Sequence, residues 1–293
     1  MNIDNYLEEK RSYIDQKLDG FVHDQKVPYN KLFQAARYAL IDGGKRLRPI
    51  LTLATAEVFG LDNEAAASPA CAIEMIHAYS LIHDDLPCMD DDDYRRGKPS
   101  LHKAFGEGHA VLTGDFLLTY AFEIIANDPL LSPEQKISLI ALLAKNSGGH
   151  GMVGGQIMDI ESEGIKIDIE MLRQIHQYKT GAMIAASVEF GGIIARVSPS
   201  HREILRRFGS AIGLAFQIVD DVIDVTCSQQ KHGRKTSSDE INQKTTYVTL
   251  MGLDAAKEAA HELLKEACQQ LSHLEHDASL LQGIAKRLVD RLL

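Results

Sequence analysis

Aspartate pairs stand at two places in this chain, in HDDLPCMDDDDYRRGKP at 83–99 and in FQIVDDVID at 216–224. Paired carboxylates repel each other and are costly on an otherwise apolar helix face, so two such pairs call for a counter-ion that both share. Mg²⁺ suits them, being a hard ion that prefers oxygen ligands and is usually held by one or two carboxylates together with substrate phosphates. In the second cluster, 3.6 residues per turn puts Asp220 and Asp224 about 40° apart on one helix face, with Asp221 beside them. In the first, Asp84 and Asp90 would diverge by about 120° on an unbroken helix. Pro87 resolves the conflict by favouring a break, in which two extra residues loop out and Asp90 swings back beside Asp84. A single Asp-rich run would read equally as a solvated acidic face. Here both runs follow apolar helical stretches, MIHAYSLI and IGLAFQIV, that belong in a core. The run at 90–93 also lacks the alternating spacing, the glycine and the distal Glu of an EF-hand loop.

A diphosphate chelated by Mg²⁺ still presents outer oxygens that need donors, and the planar fork of Arg bonds two at once. Arg95 and Arg96 directly follow the first cluster. Adjacent residues diverge, so one Arg can face the metal-bound diphosphate while the other serves a different anion, and two anionic substrates are expected. Lys45, Arg48 and His77 would assemble the second anion site, with Gly43 and Gly44 allowing close backbone approach. The segment GGKRLRP also reads as a turn with an exposed basic helix start. His77 lies on the face of Asp84, roughly 10 Å along the helix axis, where a lone His also reads as a satisfied core residue. Lys179 and Thr180, before Gly181, would reach the metal-bound diphosphate or form an ordinary exposed turn.

The elements that must position these residues are helices. Apolar periodicity predicts them near 3–22, 29–41, 48–59, 64–85, 110–126, 133–146, 150–161, 168–196, 200–226, 238–273 and 277–291. Strand signals are scarce and no Pro/Ser-rich linker interrupts the pattern, so the expectation is all-α, with residues 1–293 as one domain. A chain of 293 residues that is 45% hydrophobic can bury a core of that size. The net charge of −10 argues against nucleic acid or anionic membrane as the main partner. Basic residues nonetheless concentrate beside the acidic motifs, so local sign favours an anionic substrate. The four cysteines, Cys71, Cys88, Cys227 and Cys268, show no metal-ligand spacing, and the segment MNIDNYLEEK is neither basic nor apolar. A reduced, cytoplasmic protein is expected. The most apolar windows, 110–126 and 182–195, are interrupted by Asp115, Glu123 and Glu189, so no membrane span is expected.

These residues resemble a known family. GGKRLRP, DDLPCMD with RRGKP, GGQIMD at 154–159, YKTG at 178–181, FQIVDDVID and NQKTTY at 242–247 occur in the order and spacing of short-chain trans-isoprenyl diphosphate synthases, most like the bacterial farnesyl diphosphate synthases. The resemblance covers nearly the whole chain. It implies a large helical bundle of the isoprenoid synthase type around a deep cavity, working as a homodimer with Mg²⁺. By position, Asp84, Asp90 and Asp220 resemble the family's metal ligands, supported by Asp85, Asp221 and Asp224. Lys45, Arg48, His77 and Arg96 resemble the isopentenyl diphosphate site. Arg95, Lys179, Thr180, Gln217 and Lys244 resemble contacts to the allylic diphosphate. The family usually has Gly-Lys where this chain has Gly233-Arg234, and a later glycine is Ser237 here. Either Arg234 or Lys235 can then supply the charge.

The implied reaction is ionisation of the allylic diphosphate, attack by the double bond of isopentenyl diphosphate, and proton loss to the released pyrophosphate. Product length would be set below Asp84, where Ser80 is small and Tyr79 bulky, about 7.5 Å down the helix. In the resembling family an aromatic at that position, with the two-residue insertion, goes with farnesyl products; Tyr79 as plain core would leave geranylgeranyl synthesis. A class I terpene cyclase would need no second anion pocket. A metal-dependent phosphohydrolase would not explain the second Asp helix, and a non-catalytic partner subunit would be expected to have lost one Asp motif.

Overall fold

The computed structural model describes residues 2–41, 43–230 and 245–290, the side chains of 227–230 excepted. It is built of helices that sort into two compact units, one of Met1–Leu53 with Asp62–Ile140, the other of Ala54–Leu61 with Ala141–Leu293.

The first unit contains α1 (Ile3–Phe21), α2 (Asn30–Leu40), the start of α3 (Leu47–Val58), α4 (Asn63–Asp84), a hairpin of β1 (Tyr94–Arg95) and β2 (Lys98–Pro99), α5 (Leu101–Phe105), α6 (Glu107–Ala126) and the start of α7 (Pro133–Ser147). Its axis is α4, which is apolar on nearly every side and therefore buried all round, from Ala66 through Ile73 and Ile76 to Ile82. Asp62 starts it cleanly by accepting the Ala65 N–H at 3.0 Å. Helix α6 packs along α4 through a stripe of Ala110, Gly114, Leu117, Ala121 and Ile124, spaced three or four residues apart. Among the described residues, α6 is the helix long and apolar enough to cross a bilayer by length and composition. The neighbouring hairpin and the short α5 were not expected from the periodicity.

The second unit contains the ends of α3 and α7, then α8 (Met152–Glu161), α9 (Ile169–His176), a π-helical turn (Gln177–Gly181), α10 (Ala182–Ile194), α11 (Pro199–Gln230), α12 (Tyr247–Met251), α13 (Leu253–Leu271) and α14 (Ser279–Val289). The long α11 is its spine. Leu214, Ile218, Val219 and Val222 of α11 form one core with Ala256 and Ala260 of α13 and Val289 of α14. Two expected helices are interrupted. The one over 168–196 contains the π-turn, and the one over 238–273, where described, is divided at Gly252 with φ +85°. Thr246 caps α12 through reciprocal bonds with Thr249, its hydroxyl accepting the Thr249 N–H at 3.2 Å.

Candidate active site

In the first unit, α4 ends where the aspartates begin. The Leu86 N–H turns back to the His83 carbonyl, Pro87 and Cys88 are exposed, and the Asp90 N–H donates to the Asp84 carbonyl at 2.9 Å. The proline-induced loop thus brings Asp90 back to Asp84, as its position predicts, with both residues half-buried. Asp85 is used differently. It is 2% exposed, and both its oxygens accept from Arg95 Nε, at 2.9 and 3.2 Å. Burial raises its pKa and Arg95 opposes the rise. Arg95 also reaches Asp92 at 3.2 Å. Asp85, expected in support of the metal ligands, here holds Arg95.

The two arginines part at the hairpin turn. Arg96 and Gly97 have φ of +54° and +79°, the left-handed pair of a type I′ turn, which sends Arg95 to Asp85 and Arg96 to the Gly43 carbonyl at 3.1 Å. The double glycine makes room for that guanidinium. A Cβ on Gly44, whose φ is +92°, would stand 2.9 Å from Arg96 Cζ. His77 is half-buried. Burial first, then the charges of Arg48, Arg96, Arg46 and Arg95, hold its pKa well below the ordinary value, so its imidazole is neutral within a concentrated positive field. Lys45 is exposed and Arg48 half-buried on the same stretch.

Arg46, between them, belongs to the framework. It is buried, donates to Asp15 at 2.7 Å and Glu74 at 2.8 Å, and bonds the Leu40 carbonyl. Tyr79 is buried on the same α4, its ring edge-on to His83 at 5.8 Å, and burial with the Asp84 charge pushes its phenol up to about 12. Ser80 donates to the His77 carbonyl at 2.9 Å.

In the second unit, α11 contributes Gln217, Asp220, Asp221 and Asp224 to a cleft also lined by Asp159, His176, Lys179, Thr245 and Thr246. Asp220 is half-buried and Asp224, four residues on, is exposed. Gln217 Nε2 donates to Asp220 Oδ2 at 3.4 Å. Asp221 is committed: its Oδ2 accepts the Tyr247 N–H at 2.8 Å and faces His176 Nε2 at 3.4 Å, anchoring the start of α12. Lys179 projects from the π-turn to Asp159, Nζ to Oδ2 2.6 Å, and Thr180 beside it is buried. Neither Asp159, which closes the GGQIMD motif, nor His176 is singled out by spacing alone. Arg234, Lys235, Ser237 and Lys244 lie outside the described residues.

Mg²⁺ fits this donor set. Asp84 with Asp90, and Asp220 with Asp224, offer hard carboxylate oxygens in pairs. Among the described residues no three His, Cys, Asp or Glu side chains converge into a cage. An ion of this kind is ordinarily completed by substrate phosphate and water.

A family model for polyprenyl synthetase matches residues 29–283. The chain is 41% identical over 293 residues to a farnesyl diphosphate synthase of Geobacillus stearothermophilus, covering 99% of this chain and 98% of that one. It is 47% identical over 272 residues to a chloroplastic geranylgeranyl pyrophosphate synthase of Capsicum annuum, covering 92% of this chain and 73% of that one. Among solved structures, an FPP/GFPP synthase from Zymomonas mobilis superposes with a TM-score of 0.88 at 40% identity, covering 98% of this chain and 99% of that one. With the match running through both units, the chain belongs to the polyprenyl synthetase family.

Proposed function

We propose that this chain is a prenyltransferase that condenses isopentenyl diphosphate with dimethylallyl or geranyl diphosphate to give farnesyl diphosphate. The observation that carries the reading is the return of the Asp90 N–H to the Asp84 carbonyl, within a chain of this family. It draws two aspartates together in the same unit as the arginine field around His77, which supports a metal-chelated diphosphate beside a second anion. Asp84 and Asp90, and Asp220 with Asp224, would hold Mg²⁺, which when bound supplies neutralising charge to a departing diphosphate. Lys179 and Arg95 donate to that group as negative charge grows on it. Thr180 and Gln217 turn their dipoles toward the allylic cation. Lys45, Arg48 and Arg96 orient isopentenyl diphosphate, and neutral His77 donates a hydrogen bond without adding charge. The proton leaves with pyrophosphate, so no protein base is needed.

Tyr79 supports the farnesyl length, being bulky, buried and on the helix that ends at Asp84. The identity to the Capsicum annuum synthase favours geranylgeranyl diphosphate as the second reading. The family match across residues 29–283 supports treating 1–293 as one domain. The protein is proposed to act in the cytoplasm as a homodimer. Asp84→Ala should lower the rate of pyrophosphate release from geranyl and isopentenyl diphosphates by about 10³-fold or more, with the fold intact by circular dichroism. Full turnover in that variant would overturn the mechanism.

A further inference from the structure

We infer that Asp159, acting with Gly155, is a positioning residue for Lys179; the inference rests on reading Lys179 as a diphosphate ligand. A lysine carries its charge on four rotatable methylenes, so one that must meet an anion at a fixed point needs both its backbone and its ammonium held. Helix α8 does both from one face. At Gly155 its backbone lies against the π-turn so closely that a Cβ would stand 2.2 Å from Lys179 N and 2.7 Å from its Cα. One helical turn on, and so on the same face, Asp159 Oδ2 accepts from Lys179 Nζ at 2.6 Å.

The widened π-turn sets the lysine backbone in place, and Asp159 holds the ammonium along the wall of the cleft shared with Gln217, Asp220 and Asp224. The pair is only partly screened, with side chains 26% and 19% exposed, so the charge-assisted bond is worth more than one in open water. The four-residue spacing of Gly155 and Asp159 in GGQIMD is thereby explained as a device for placing Lys179.

The test is a double-mutant cycle read by binding. The dissociation constant of geranyl S-thiolodiphosphate, an allylic analogue that does not ionise, is measured by calorimetry with Mg²⁺ for the wild type, Asp159→Ala, Lys179→Met and the double variant. Each single variant should bind about tenfold more weakly, and the double variant no more weakly than Lys179→Met alone. Asp159→Glu should restore most of the affinity. If Asp159→Ala does not fold, Asp159→Asn, which keeps shape but loses charge, takes its place and should weaken binding by about threefold or more. Additive losses, or unchanged or tighter binding without Asp159, overturn the assignment. A wild type that fails to bind the analogue would instead sink the diphosphate reading beneath it. The reactivity of Lys179 toward trinitrobenzenesulfonate, expected to rise in Asp159→Ala, still reports whether the carboxylate holds the amine.

Discussion

His77 is kept neutral by burial and by four guanidinium groups, which has a consequence for stability. The unfolded chain takes up a proton on this side chain below about pH 6.5, while the folded chain does not until much lower pH. Its contribution is therefore present above pH 6.5 and lost as pH falls below it, at about 1.4 kcal/mol per pH unit. His77→Gln, neutral throughout, should lose stability less steeply between pH 7.5 and 5.5 in urea melts; parallel curves for the two proteins would contradict the buried, positively surrounded site. The same residue illustrates what the sequence could carry. Its helical register with Asp84 was readable from spacing, but the guanidinium of Arg46 among its neighbours was not. In GGKRLRP, Arg46 looks like Lys45 and Arg48, and only its distant partners Asp15 and Glu74 make it a buried anchor. Asp85 and Asp221 were hidden for the same reason: their commitments, to Arg95 and to the Tyr247 N–H, lie ten or more residues away.

Helix lengths and order followed from periodicity because each apolar stripe had a helix to pack on, as α6 does on α4. The departures occur where local geometry breaks the period without breaking the apolar pattern. The π-turn at Gln177–Gly181 leaves the helical pattern of its flanks unchanged, and the two-residue strands of the hairpin are too short to alternate. At this scale Arg46 is the main joint, tying α1 through Asp15, α4 through Glu74 and the end of α2 through the Leu40 carbonyl. Glu74 Oε2 has no hydrogen-bond partner among the described residues, so removal of Arg46 leaves a buried carboxylate uncompensated. Arg46→Ala should cost about 3–5 kcal/mol in denaturant unfolding. A loss below about 1 kcal/mol would mean that the joint is made elsewhere.

Across the whole molecule, a net charge of −10 coexists with basic groups gathered at 43–48 and 95–98, so anionic substrates meet local positive charge on an acidic protein. Exposed apolar side chains such as Val153, Ile157 and Ile160 on α8 and Leu112 on α6 are compatible with assembly. Sedimentation equilibrium should give about twice the 32.4 kDa chain mass, and a monomer at micromolar concentration would count against the homodimer. The relatives divide between farnesyl and geranylgeranyl names, so the proposed role of Tyr79 in product length is tested by the products themselves. The most direct measurement is chromatography of the products formed from labelled isopentenyl diphosphate and geranyl diphosphate with Mg²⁺, by the wild type and by Tyr79→Ala. The wild type should give farnesyl diphosphate and the variant longer chains. A geranylgeranyl product from the wild type, or no change of length in the variant, would contradict Tyr79 as the floor, and the absence of any condensation would contradict the function itself.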